Sequence, residues 1–167
     1  MATRLGFAGL LLGMAITASA SSAVASAASP TDACLLLSQA KISDAVGSAV
    51  ASGTHVTTSY LQTCTWNSAA HATKGLKAVT LHFDSATQFE AGKQLVEASQ
   101  ARTKEVVFTA VSGVGDDAYF VTFGSSATSF MFKKGNYSFK IAIYGELPPG
   151  QALAASKALA AEVLSKL

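Results

Sequence analysis

The run Lys133-Lys134-Gly135-Asn136-Tyr137 restricts the fold of this chain more than any other stretch. Gly135-Asn136 reads as a two-residue hairpin turn of the Gly-X kind, in which the first turn residue takes a positive φ that glycine adopts at no steric cost. Folding the flanking segments about it places Phe130 and Phe132 on one face with Phe139, Ile141 and Ile143. Met131, Lys133, Ser138, Lys140 and Tyr144 fall on the other. Because strand side chains alternate with a period of two, a slip of one residue would turn the whole apolar set to solvent. An antiparallel sheet with one strongly apolar face follows.

The other elements assemble around that hairpin. Residues 32–37 read as a short apolar turn or helix. Ser38 then caps a helix over 39–46, with Gly47 as its left-handed stop and Ile42, Ala45 and Val46 on one face. Strand signals cover 60–66, where Cys64 and Trp66 share a face, and 79–83, where Val79, Leu81 and Phe83 alternate with Thr80 and His82. Ser85 is placed to cap a helix running to about Ala101, with Phe89, Gly92, Val96 and Ser99 at helical spacing. Two β runs follow at 106–111 and 118–123, broken by Gly113-Val114-Gly115-Asp116. After Pro148-Pro149-Gly150 comes an alanine- and leucine-rich helix, residues 151–167. Its expected buried stripe is Leu153, Ser156, Ala160, Val163, Leu164 and Leu167. The expected architecture is an α+β domain: an antiparallel sheet of about five strands packed by helices, the C-terminal one included, as two layers.

Residues 1–27 read as a secretory leader. Arg4 sits in the n-region, an uncharged run spans Leu5 to Ala18, and small residues with A-x-A signals follow; Ala25-Ser26-Ala27 is the expected cleavage signal and Ala23-Val24-Ala25 the alternative. Residues 28–167 then form a single domain, expected to be periplasmic or extracellular. No later apolar run reaches the roughly 18 residues that a membrane helix needs, so no stable membrane insertion is expected once the leader is gone. Thr31-Asp32-Ala33 before Cys34 is a poor lipobox. In an oxidising compartment an even count of 2 Cys favours one disulfide, Cys34 to Cys64. A redox or metal pair has no C-x-x-C spacing to support it, and the sequence places no third or fourth ligand nearby.

Charged residues make up only 13% of the chain, and losing Arg4 with the leader takes the formal charge from +2 to +1. Electrostatic recognition of nucleic acid is therefore not expected. Chemistry is equally sparse. Gly113-Val114-Gly115 precedes a strand rather than the helix N-terminus that a phosphate cradle requires, so it reads as a tight turn. Asp116 and Asp117 point to opposite sides of an extended chain, a poor geometry for one cation. His55 and His71 fall in loop-like segments; His82 and Asp84 share a strand face but bring no recognised nucleophile motif. No catalytic residue, cofactor or metal site is assigned. Trp66 is expected to pack on the disulfide. Tyr119, Tyr137 and Tyr144 are the candidates for a partner-binding surface.

Asp32-Ala33-Cys34 with its leucine run, Cys64-Thr65-Trp66, Gly113-Val114-Gly115-Asp116-Asp117-Ala118-Tyr119-Phe120, the Lys-Gly hairpin and the alanine-rich last helix together resemble a loose group of small exported bacterial proteins of unknown function, some of them lipid-anchored. The resemblance implies a single α+β domain with a Cys34–Cys64 disulfide, and it carries no catalytic residues. The expected role is a monomeric, non-enzymatic domain that binds a protein or envelope partner. The alternatives are a small-ligand carrier with a pocket between the sheet and the last helix, and a small hydrolase.

Overall fold

The computed structural model describes residues 29–69 and 75–167. The expected leader and His71 lie outside the described residues. Four helices and six strands follow one another as α1 (Ala33–Leu36), α2 (Gln39–Val46), β1 (Thr63–Asn67), β2 (Leu76–Ser85), α3 (Ala86–Gln100), β3 (Val106–Val111), β4 (Asp117–Phe123), β5 (Ala127–Lys134), β6 (Tyr137–Gly145) and α4 (Pro149–Leu164). The strands form one sheet in the order β1-β2-β6-β5-β4-β3, every neighbouring pair antiparallel. That is one strand more than expected.

The hairpin organises the sheet in the register read from sequence. Phe130 faces Ile141, Phe132 faces Phe139, and Met131 faces Lys140 across β5 and β6. Gly135 has φ 57°, as the turn demands. Asp116, in the turn before β4, accepts hydrogen bonds from Gly135 N–H at 2.7 Å and Lys134 Nζ at 3.0 Å. The Gly135 N–H, and next the Lys134 ammonium, hold this carboxyl below the usual carboxylate range. Gly113 and Gly115 both take positive φ in that turn. A Cβ at Gly115 would overlap the Lys133 carbonyl, so the Gly-x-Gly is a structural turn.

One sheet face carries the main core. Cys64, Trp66, Val79, Leu81, Phe130, Phe132, Phe139 and Ile141 are buried there against α1, α2 and α4. Ser38 caps α2 through Lys41 N–H, and Gly47 ends it at φ 63°. Helix α4 is rotated from the stripe read in sequence: Ala152, Ala155, Ser156, Leu159, Ala160 and Val163 are buried, while Leu153, Leu164 and Leu167 are half-buried. The alanines let the helix sit close to its neighbours, so the small face turns inward and the larger leucines seal the rim. Along its middle and end α4 packs directly on the main core, through Ala155, Leu159 and Val163.

Among the described helices only α3 covers the other face, which makes a third layer where two were expected. Phe89 of α3, Tyr119 and Val121 form a second small core, with Val96, Val106, Phe108 and Met131 packed round it. Ser85 sits at the N-cap in extended backbone, but its hydroxyl pairs with Thr87 Oγ1 at 2.8 Å instead of capping an N–H. Lys93 pairs with Asp117 at 2.9 Å and Lys133 with Glu90, bracketing the Phe89 ring from 6.0 and 5.4 Å. At the helix end, the Gln100 side-chain carbonyl accepts the outward Phe108 N–H of edge strand β3. The opposite edge is covered by residues 50–54, which bridge β1 through Thr54 and Thr65.

Candidate functional site

The three tyrosines do not share one surface. Tyr119 is 1% exposed, Tyr137 is half-buried against the main core, and Tyr144 is 41% exposed on the α3 side of the sheet. Tyr119 is therefore a core residue. Its position beneath α3 follows from a missing side chain: a Cβ at Gly92 would stand 3.1 Å from the Tyr119 hydroxyl.

A groove of about 190 Å³ opens between α3 and the sheet, lined by Gly92, Leu95, Val96, Tyr119, Val121, Phe123, Ser129, Met131 and Lys140. Leu95, at 69%, and Phe123, at 40%, stand exposed at its rim. Strand register extends the rim sideways: Phe123 faces Ala127 on β5, and Ala127 faces Tyr144 on β6. Three polar groups interrupt the apolar lining, and all three can donate, the Lys140 ammonium only donating. The Tyr119 hydroxyl, the Ser129 hydroxyl and the Lys140 ammonium have no hydrogen-bond partner among the described residues. Burial, with the carboxylates of Glu90, Asp117 and Glu97 nearby, pushes the Tyr119 hydroxyl up to about 12, so it stays a neutral donor. An apolar trough with a few inward donors suits an apolar group carrying an acceptor or a negative charge. Larger hollows, of about 390 and 360 Å³, flank the start of α4 and the α2–α4 seam, and neither has an aromatic wall.

On the uncovered half of the same face, Thr63 Oγ1 lies 2.8 Å from His82 Nδ1, and His82 Nε2 lies 3.8 Å from Asp84. Tyr60 stacks on the imidazole with ring centroids 6.2 Å apart. Hydroxyl, imidazole and carboxylate are in sequence, but His82 is only half-buried and Asp84 exposed, on an open strand surface outside the groove. Catalysis of acyl transfer needs such a trio beside a water-excluding wall that stabilises the oxyanion, and the described residues form no such wall beside His82.

The second cluster surrounds the disulfide. Cys34 and Cys64 are bonded, with Cα atoms 5.0 Å apart. Asp32 caps α1 through Cys34 N–H at 2.7 Å, and its Oδ1 also lies 3.2 Å from His55 Nε2. The other nitrogen of His55 lies 2.8 Å from the Thr63 carbonyl and 3.7 Å from Cys34 Sγ. His55 is thus a half-buried clasp rather than an exposed loop residue. The structure places beside the cysteine pair the third and fourth groups that its sequence neighbours did not offer. Gly53 closes the corner: a Cβ there would come within 2.6 Å of both Cys64 Sγ and the Trp66 indole nitrogen. That shared contact sets Trp66 beside the disulfide. No sequence signal points to His55, because its partners lie 8 and 23 positions away and meet it only through the fold.

No protein-family model, curated protein or solved structure matches this chain. No described helix is long and apolar enough to cross a membrane.

Proposed function

We propose that this chain is an exported, non-enzymatic binding domain whose partner, a protein or envelope component, docks an apolar group with an adjacent acceptor into the α3 groove. The observation that carries this reading is the set of unpaired donors, Tyr119, Ser129 and Lys140, in a trough rimmed by exposed Leu95 and Phe123. These groups reach the groove surface without a partner among the described residues, so a docking molecule that supplies acceptors gains hydrogen bonds in a setting that its own apolar group shields from water. Export is supported by the leader-like residues 1–27 and by the intramolecular disulfide, which persists in oxidising compartments. The burial of Ala155, Leu159 and Val163 against the main core counts against a carrier pocket beneath the body of α4, and the open setting of His82 counts against the hydrolase.

Native mass spectrometry of the protein purified from the cells that make it tests the proposal. The expected result is a complex with a second macromolecule that Lys140→Glu together with Leu95→Ala abolishes while far-ultraviolet circular dichroism is unchanged. A small-molecule adduct lost on denaturation would instead make the groove a carrier site. A complex indifferent to both substitutions would place the partner surface elsewhere.

A further inference from the structure

We propose that reduction of the Cys34–Cys64 disulfide turns this corner into a binding site for a thiophilic d¹⁰ cation of the Zn²⁺ class. Both thiolates and the imidazole of His55 would ligate, with Asp32 as the positioning residue behind the imidazole. One usable atom from each of Asp32, Cys34 and His55 already lies within 4.8 Å of the others. The 3.7 Å between Cys34 Sγ and His55 Nδ1 is close to the roughly 3.5 Å edge of a tetrahedron with Zn–S of about 2.3 Å and Zn–N of about 2.0 Å. Cys64, joined to Cys34 in the oxidised state, needs only to separate to a comparable distance to complete a three-ligand set.

The remaining contact has the form that orients a metal-bound histidine. When Nδ1 ligates, Nε2–H faces the Asp32 carboxylate at 3.2 Å, and such a carboxylate fixes the tautomer and raises the basicity of the ligand. Two thiolates, a neutral imidazole and a divalent cation sum to zero charge, which a partly buried corner tolerates better than two free thiolates. The Asp32 and His55 side chains retain 22% and 19% exposure, which leaves a route for the ion and room for water in the fourth position. In the oxidised protein the two sulfurs are bonded to each other and Nδ1 faces the Thr63 carbonyl at 2.8 Å; ligation therefore needs the disulfide reduced and the Nδ1 proton and its carbonyl contact given up to the cation. The chemistry balances with a dithiol reductant. It gives two electrons and two protons to the Cys34–Cys64 bond and becomes a disulfide itself; the cation then displaces the two thiol protons.

The test uses the full chain, reduced with dithiothreitol, freed of reductant without oxygen, and titrated with Cd²⁺ as an ultraviolet-visible reporter for Zn²⁺. One equivalent should bind with a thiolate-to-metal charge-transfer band, and the oxidised protein should show none. His55→Ala should weaken binding about 100-fold or more, and Asp32→Asn about 10-fold to 100-fold with the band retained. If circular dichroism shows that oxidised His55→Ala does not fold, Asp32→Asn decides: weakened binding supports the site and unchanged affinity overturns it. Absence of the band from reduced wild-type protein, or equal affinity in folded His55→Ala, would also overturn it; the latter would mean that a bare dithiol is chelating the ion.

Discussion

At the scale of single residues, two buried hydroxyls behave in opposite ways. Ser156 lies fully buried in α4 with its hydroxyl unpartnered among the described residues. An unmet buried hydroxyl costs about 1–3 kcal/mol, and alanine is the better helix former. Ser156→Ala should therefore stabilise the domain by about 1–2 kcal/mol, read as a higher urea midpoint at unchanged slope. Tyr119 is buried too, but its hydroxyl borders the α3 groove, and its ionisation is pushed up to about 12. A raised folded value means that the stabilising neutral form is fully present below pH 10, the ordinary tyrosine value, and is lost as pH climbs from there toward 12. Absorbance of ionised tyrosine should show one late step, and Tyr119→Phe should remove it. Neither property is legible in sequence: a tyrosine on a strand has the same spacing whether a helix covers it or not.

Among the elements, the disulfide does the work that α1 is too short to do. Helix α1 has only 4 residues, below what a peptide helix sustains without tertiary contacts. It is held by the Cys34–Cys64 bond, by Ala33 N–H on the Leu61 carbonyl at 2.8 Å and by Lys166 Nζ on the Leu35 carbonyl at 3.0 Å. Replacing both cysteines by serine should cost roughly 3–4 kcal/mol on the chain-entropy estimate for a separation of 30 residues. Guanidinium unfolding of the double variant beside the oxidised protein measures this, and faster amide exchange should appear first in 33–46. The β5–β6 hairpin, by contrast, was readable to the residue pair, because turn chemistry and a period of two are local properties. The setting of α4 was not. In an alanine-rich helix the apolar residues occupy every side, so only the neighbours decide that Leu159 and Ala155 face inward.

For the molecule as a whole, the sheet separates two cores of unequal size, and they should fail differently. Leu159 belongs to the large core, shared by α1, α2, α4 and the sheet, whereas Phe89 belongs to the small one beneath α3. Leu159→Ala should destabilise the domain globally by about 2–5 kcal/mol. Phe89→Ala should raise hydrogen exchange mainly in 86–100 while α4 stays protected, a local opening rather than global unfolding. Mass-resolved exchange of the two variants separates these outcomes. The same asymmetry explains where the groove lies: a single helix cannot cover a six-stranded sheet, so the α3 layer leaves a trough and an open flank. Strands, the caps of α2, the hairpin register and the even cysteine pair could be read from the chain, since each depends on residues a few positions apart or on a simple count, whereas the expected Ser85 cap of α3 does not form. The side of the sheet that α3 occupies, the burial of Tyr119 and the meeting of Asp32, His55 and the disulfide could not. Those arrangements arise where segments distant in sequence compete for the same apolar surface, and packing, not local pattern, settles that competition.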